Sequence, residues 1–491
     1  MSELLMIIVI LIPVIGGSLI PFLPLKNRKI KCIYIEVLVI LNSLIVMYLL
    51  FNRPEERFEI VNFVSNLSLS LRMDGMSMVF GGLIAALWPF ATLFAFEYMK
   101  KEERENSFFV FYTITYGITL GIAFSEDLLT MYFFYELLTL VTVPLVLHTL
   151  SREAILASRK YLYYSLGGAA FAFVGLVFII MYGTTVNFEL GGVLDMAKVG
   201  DRSNILLLIY VMAFFGFGVK AAICPFNSWL PDAGVAPTPV TALLHAVAVV
   251  KAGAFAILRI TYFSFGSDFL RGTWAQNLVM VVVIFTIVYG CSRAIKETHI
   301  KRRLAYSTIS NLSYILFGAV IMTPLGLAAA LSHLIFHAVM KICAFFCAGA
   351  IMHQTERHYI HQLDGMGRKM PVVFGIFTIS GMALMGVPGM AGFISKWNLA
   401  VAAVESENIV AYVGIAALLL SALMTAIYML SITMRAFFPS NDFEEIKVAD
   451  CKDPNWMMVV PLCVFTIAIL GFGVYSDPIV NFFTNVANGM Y

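Results

Sequence analysis

Apolar stretches about twenty residues long recur along this chain from residue 4 to residue 482, and only short polar segments separate them. Each residue of an α-helix rises ~1.5 Å, so about 20 of them cross a hydrocarbon core about 30 Å thick. Measured against that length, the sequence contains fourteen candidate spans: 4–24, 32–51, 75–98, 108–125, 128–150, 161–182, 204–224, 237–262, 276–293, 304–323, 325–352, 371–396, 408–434 and 457–482. A chain that is 60% hydrophobic and 13% charged is also too apolar for a water-soluble protein, whose apolar share is about 45–50%. Its 491 residues would suggest three soluble domains by length, but the spans leave no soluble remainder, and a single membrane domain over residues 1–491 is the simpler division. The first apolar run has neither a basic leader nor a small-residue cleavage site, which predicts that it is retained as a span. The expected fold class is an all-α polytopic membrane protein.

The basic residues count the spans independently, because Lys and Arg concentrate in short cytoplasmic loops. Odd-numbered connections carry 21 of them: Lys26, Arg28, Lys29, Lys31; Lys100, Lys101, Arg104; Arg152, Arg159, Lys160; Arg293, Lys296, Lys301, Arg302, Arg303; Arg357, Arg368, Lys369; Arg435, Lys447 and Lys452. Even-numbered connections carry 7, namely Arg53, Arg57, Arg72, Lys198, Arg202, Arg259 and Arg271. A missed or surplus span would invert this alternation from that point onward. The pattern predicts fourteen spans with both termini on the outer side.

Four basic residues fall in no connection, and all are lysines inside spans: Lys220, Lys251, Lys341 and Lys396. No arginine is expected in such a position. An ionisable group near the bilayer centre costs at least ~2.5 kcal/mol, so it usually faces a bundle interior or a wet path and marks function. A lysine removed from water can release its proton, whereas arginine stays charged, and four reversible bases fit proton handling better than voltage sensing. Among the acids, Glu136 is the deep carboxylate, mid-span in FSEDLLTMYFFYELLTL, and it needs a cationic partner such as a lysine from a neighbouring helix. Glu36 is within about a turn of the basic segment 26–31, which favours snorkelling or a salt bridge.

Two spans carry helix-breaking chemistry beside a lysine. In GFGVKAAICPF (216–226), Gly216 and Gly218 precede Lys220 and Pro225 follows it. In GVPGMAGFISK (386–396), Gly386, Pro388, Gly389 and Gly392 precede Lys396. Proline removes a backbone donor and glycine loosens the chain, so spans seven and twelve are expected to be interrupted there. Two interrupted helices five spans apart are what an internally duplicated transporter would show.

In SHLIFHAVMKICAFF, the residues His333, His337 and Lys341 are spaced by four, which places them in a single stripe about two turns long. Three titratable groups on one face could pass a proton through intervening water. His245 and Lys251 are six apart and, on a regular helix, point to different neighbours. His148, His353, His358 and His361 read as surface groups or as a vestibule, and the proline-rich segment 227–240, with Asp232 lacking a basic neighbour, as an ordered cap on the broken helix.

Other classes are poorly served. A net charge of +2 lacks the basic face that nucleic acid requires. The seven cysteines (32, 224, 291, 343, 347, 451, 463) are odd in number and form no CxxC pair, so neither a disulfide framework nor a zinc or iron-sulfur site is expected; Cys343 and Cys347, four apart, read as packing.

The stretches GFGVKAAICPFNSWLPDAGVAPTPVTALLHAVAVVKAGAF (216–255), LAYSTISNLSYI (304–315), SHLIFHAVMKICAFFCAG (332–349) and GVPGMAGFISKW (386–397) resemble the antiporter-like membrane subunits shared by respiratory complex I, the multisubunit Mrp-type sodium/proton antiporters and the energy-converting membrane-bound hydrogenases. The resemblance covers at least residues 74–434. It implies fourteen helices with two inverted five-helix repeats, helices four to eight (108–262) and nine to thirteen (276–434), flanked by 1–98 and 457–491, with helices seven and twelve interrupted. By position it implies that Glu136 is the helix-five glutamate and Lys220 its paired lysine. It likewise makes His245 and Lys251 the helix-eight positions, His333, His337 and Lys341 the helix-eleven group and Lys396 the terminal lysine, where some relatives carry glutamate. The chain ends soon after span fourteen, without the long lateral helix of the largest family member, which points to the shorter members: the D-type subunit of Mrp antiporters and its hydrogenase counterpart.

The resemblance further implies a multi-pass subunit in a prokaryotic cell membrane, partnered by other membrane subunits and, in the redox complexes, by a peripheral redox module. It binds no cofactor of its own, and its cargo is H+, with Na+ left open. The expected mechanism is lateral proton transfer along Glu136, Lys220, Lys251 with His245, His333 with His337 and Lys341, and Lys396, with half-channels at the broken helices. Rival readings are a subunit binding quinone or a redox centre, a secondary solute transporter with its substrate at the helix breaks, and a passive scaffold, which would leave the four lysines unexplained.

Overall fold

A backbone crossing lipid must satisfy its own hydrogen bonds, which leaves helix as the form open to an isolated apolar segment. The computed structural model accordingly is mostly helical, and it describes residues 2–23, 27–54, 56–64, 67–439 and 451–491, so that Lys26 and Lys447 lie outside the described residues. Twelve helices among the described residues are long and apolar enough to cross a membrane, and two further apolar helices, Glu3–Leu19 and Pro371–Met385, are shorter. In chain order the long elements are α1 (Ser2–Leu19), α2 (Arg28–Asn52), α3 (Gly75–Tyr98), α4 (Glu105–Phe124), α5 (Leu128–Val146), α6 (Arg152–Tyr182), α7 (Ser203–Gly218), α8 (Thr238–Phe265) and α9 (Trp274–Lys296). They continue with α10 (Ile300–Ile321), α11 (Pro324–Thr355), α12a (Pro371–Met385), α12b (Ala391–Glu405), α13 (Ile409–Phe437), α14 (Trp456–Val474) and the short amphipathic α15 (Asp477–Ala487).

Helix starts follow ordinary capping. Asp74, Asp127, Ser151 and Thr323 cap α3, α5, α6 and α11, each side chain accepting a backbone N–H from the first turn. Burial is strongly graded. The apolar cores of α8, α10 and α11 are entirely buried, whereas those of α2, α13 and α14 are only 33% buried and turn apolar side chains such as Leu41, Leu419 and Ile467 outward. Three helices that are apolar yet enclosed form the axis of the bundle, and the others present apolar faces as lipid requires.

One element departs from an all-α fold. Residues Phe58–Val64 (β1) and Leu67–Leu71 (β2) pair antiparallel as a hairpin. The alternating LSLSL of β2 is a period-2 signal. The hairpin is tied to the start of α5, because Ser70 Oγ donates to Asp127 Oδ2 (2.9 Å) and Ser70 N to Thr130 Oγ1 (2.9 Å).

The expectation that no arginine lies inside a span is corrected. Arg259 occupies the last α-helical turn of α8, only 1% exposed, and pairs with Asp74 at 2.5 and 2.7 Å through both terminal nitrogens. The rings of Phe188, Phe255 and Phe263 surround its guanidinium at 4.7, 5.2 and 5.0 Å. Lys301 and Arg303, counted with a loop, are also buried, in the first turn of α10.

Candidate functional site

Helix α7 stops at Gly218, and two residues earlier Gly216 packs so closely that a Cβ there would lie 2.5 Å from the Ala172 nitrogen. The chain then runs through turns that contain Lys220 and Pro225, and the Trp229 indole donates to the freed Val219 carbonyl (2.9 Å). The Lys220 ammonium reaches α5, where it donates to the Tyr135 carbonyl and lies 3.3 Å from the centroid of the Tyr135 ring. Glu136 is the next residue on that helix. Its Oε1 is buried without a hydrogen-bond partner, and no direct bond joins it to Lys220. The pair is adjacent through Tyr135 rather than in contact.

Helix α8 is irregular where the spacing of its residues predicts a regular helix. Around Leu243–Val247 it widens, Ala248 N donating to the Leu243 carbonyl five residues back (2.9 Å), and a second wide turn covers Ile260–Phe265. Such single wide turns recur at functional sites. His245 sits in the first one, its ring 4.8 Å from Phe345 and both ring nitrogens buried without partners. The regular-helix rotation between His245 and Lys251 therefore does not apply. Lys251 points at α11, with Nζ 2.7 Å from His337 Nδ1.

On α11 the His333 and His337 rings stack at 5.6 Å. His333 Nδ1 is 2.9 Å from Ser395 Oγ, and its ring meets Tyr314 edge-on at 5.1 Å. Lys341 diverges toward α10 and donates to Ser307 Oγ (2.7 Å) and the Leu304 carbonyl (3.2 Å). The spacing of four is thus one stripe on the helix but serves two neighbours.

The second interruption lies at 386–390, between α12a and α12b. Gly386 holds a left-handed φ of 92° and Gly389 one of 83°, Pro388 lies between them, and Gly392 falls in the first turn of α12b. A Cβ on Gly392 would lie 1.8 Å from the Ala383 carbonyl oxygen, so only glycine permits this approach of the two halves. Lys396 caps the carboxyl end of α12a, donating to the Leu384 (2.7 Å) and Met385 (3.0 Å) carbonyls, where the helix dipole favours a cation. Its ammonium is also 5.1 Å from the centre of the Tyr314 ring.

The structure thus brings Lys251, His337 and His333 into one file that ends on α12b, beside Lys396. Lys341 joins α10 next to it, while Glu136 with Lys220 and His245 stand apart from the file. Several members were missed from the sequence: Ser395, Ser307, Tyr314, and the hydroxyls behind them, Tyr428 bonded to Ser307 (2.7 Å) and Ser421 to Tyr314. For Ser307 and Tyr314 the signal was the density of hydroxyls in LAYSTISNLSYI; Ser395, Ser421 and Tyr428 lie on α12b and α13, outside that stretch. Glu36 has a buried oxygen without a partner, because Arg28 and Lys31 pair with Glu105 instead (2.7 and 2.6 Å). Asp232 pairs with Lys160 (2.7 Å) and Arg302 (3.6 Å). His148 bonds the Glu103 carbonyl (2.9 Å), and His353 packs 5.6 Å from Tyr98 with both nitrogens unpartnered.

Fold and site together define an integral multi-pass membrane protein with titratable groups buried in its axis at two broken helices. Residues 125–425 match the family described as "NADH:quinone oxidoreductase/Mrp antiporter, TM", and the chain belongs to it. It is 27% identical over 489 residues to NAD(P)H-quinone oxidoreductase chain 4 2 of Trichodesmium erythraeum, covering 96% of this chain and 84% of that one. It is 30% identical over 441 residues to a Na(+)/H(+) antiporter subunit of Alkalihalophilus pseudofirmus, covering 84% of this chain and 53% of the larger relative. A chain in the solved structure of the Mrp complex from Dietzia sp. superposes with TM-score 0.85 at 20% identity, covering 100% of this chain and 97% of that one. The protein is an antiporter-like membrane subunit of the complex I and Mrp type.

Proposed function

We propose that this chain moves protons within a multisubunit membrane complex along Glu136, Lys220, Lys251 with His245, His333 with His337 and Lys341, and Lys396. One observation carries the reading: a file of buried groups, Lys251 bonded to His337, His337 stacked on His333 and His333 bonded to Ser395, runs from α8 along the fully enclosed α11 to α12b. Buried polar groups of this kind are costly to a membrane helix and persist where they transmit charge. Lys220 and Lys396 stand at the two interruptions, where freed carbonyls and turns give a route for water from either side.

In this reading fourteen helices cross the membrane, the two shorter apolar ones included, as two inverted repeats over 108–262 and 276–434. The termini face outward, and the host membrane is a prokaryotic cell membrane. The partners are other antiporter-like and small helical subunits, with a peripheral redox module where the host complex is a redox enzyme, and the chain itself binds no cofactor. Na+ is the second candidate cargo, supported by the name of the antiporter relative. The D-type subunit of Mrp antiporters and its counterpart in the energy-converting hydrogenases are the favoured places for the chain.

Replacing Glu136 or Lys220 by Ala in the assembled complex tests the proposal in proteoliposomes. Acidification driven by the complex is expected to vanish while its subunit composition stays unchanged. Normal acidification by both variants would refute the pathway, and repeating the wild-type assay with Na+ exchanged for K+ separates proton movement from sodium-coupled exchange.

A further inference from the structure

Beyond the row itself, a cavity of about 710 Å³ opens at the end of the bundle that carries most of its Lys and Arg. Its wall includes Lys160 of α6, Asp232 and Val235 of the segment between α7 and α8, and His299, Lys301 and Arg302 at the start of α10. Most of its charge is tied up laterally: Asp232 bridges Lys160 (2.7 Å) and Arg302 (3.6 Å), and Arg302 reaches Glu297 (3.4 Å). Lys301 takes no part in that network. Only 5% exposed, it turns inward and donates to the Ala236 carbonyl at 2.8 Å.

What lies behind Lys301 gives this orientation its meaning. Ala236 leads directly into α8 and also accepts from Thr241 Oγ1 (3.0 Å), and one turn further along is the wide turn that carries His245. On the other side, Leu304 and Ser307, about one and two turns beyond Lys301 on α10, are the groups to which Lys341 donates. Lys301 thus joins the cavity wall to the segment that opens α8, on the same helix that supplies both acceptors of Lys341. At the cavity wall, His299 lies outside the spans, and burial, reinforced by the charges of Lys301 and His358, pushes its imidazole down to about 4, so it is neutral near pH 7 and does not compete for the proton.

We infer that Lys301 is the protonatable gate between this cavity and the buried row. The inference rests on the proton-carrying reading above and assigns the group through which the row communicates with the basic face. A hydronium or protonated buffer in the cavity transfers its proton to the neutral amine and leaves as water or buffer base. The resulting ammonium then gives up one of its three protons toward His245 or Lys341 and returns to the amine. A permanent cation could anchor the Ala236 carbonyl equally well but could not complete this cycle, because arginine does not lose its proton.

The test uses the assembled complex in proteoliposomes with Lys301→Met, Lys301→Arg and, in parallel, Lys251→Met. Both Lys301 variants are expected to lower the acidification rate at least tenfold with subunit composition unchanged. A Lys301→Arg rate within twofold of wild type would overturn the gate, since it would reduce Lys301 to a tether. If Lys251→Met also transports normally, the row itself falls; if Lys251→Met fails while Lys301→Arg transports, only the gate does. Should the Lys301 variants fail to assemble, Val235→Cys labelled with a charged maleimide decides. Blocked acidification, relative to the equally treated parent chain, supports the gate at this cavity, and unimpaired acidification by fully labelled protein refutes it.

Discussion

Replacing Lys251 by Met removes the first link of the buried file while keeping the shape of the core. Lys251 is fully enclosed, and methionine has similar length, flexibility and no charge, so the site neither collapses nor overpacks. The loss is the 2.7 Å bond to His337 Nδ1, which joins a titratable group of α8 to one of α11. A hydrogen bond to a charged group contributes about 1.5–3 kcal/mol. If that interaction positions and stabilises the proton in transit, its loss raises the transfer barrier by a comparable amount. At ~1.4 kcal/mol per tenfold change in rate, the expected loss of proton movement is about ten- to a hundredfold. Stability should fall by no more than about 1–3 kcal/mol, because the His337 Nδ1 left without its partner is offset by the loss of a buried amine that was costly to desolvate. The assay is acidification of proteoliposomes followed with an entrapped or accumulating pH dye, alongside gel filtration of the complex before and after mild heating. A variant that assembles normally and acidifies within twofold of wild type would show that the Lys251–His337 contact is packing and not conduction.

The Asp74–Arg259 pair is expected to be structural: Arg259→Met should cost about 3–5 kcal/mol by stranding a carboxylate, read as a lowered unfolding temperature in detergent, and adding Asp74→Asn should restore much of it. Burial alone would raise the Asp74 carboxyl, but the charge and hydrogen bonds of Arg259, with those of Ser77, outweigh it and hold the group below the usual carboxylate range. Because the folded-state value is the lower one, the pair's contribution is fully present above about pH 4 and is lost only as pH falls further; a pair that weakened between pH 7 and 5 would contradict this. Gly392→Ala should drive α12a and α12b apart, with a destabilisation of about 1–3 kcal/mol and loss of complex yield, because its Cβ would lie 1.8 Å from the Ala383 oxygen; an unchanged yield and unfolding temperature would refute the close approach.

The membrane nature of the chain was legible because it is written in stretches as long as the helices themselves, and the positions of the two breaks because glycine and proline act locally on the backbone. Lys220 in GFGVK and Lys396 after GVPGMAG could be placed beside helix breaks on that basis. What could not be read is which groups meet across helices. Lys251 and His337 are 86 residues apart, and their contact depends on the wide turn at Leu243–Val247, for which LLHAV carries no marker. Lys301 and Arg259 were counted with loops because a long cation at the edge of an apolar stretch can either snorkel to water or turn inward, and hydropathy does not distinguish the two. Inward it was, toward the Ala236 carbonyl and the Asp74 carboxylate, partners supplied by distant segments. The hairpin escaped for a different reason: LSLSL is short, and a period-2 pattern of five residues between long apolar spans carries little weight against them.

A relay in series is tested most directly by breaking it at its two ends, once each and then together. With Lys220→Met, Lys396→Met and the double variant in the same complex, the proton-carrying account predicts that each single change reduces acidification to background and that the double variant is no slower, because a chain once cut cannot be cut further. Singles that each keep half the wild-type rate, with losses that multiply in the double variant, would mean that the lysines act independently and that no continuous row connects them.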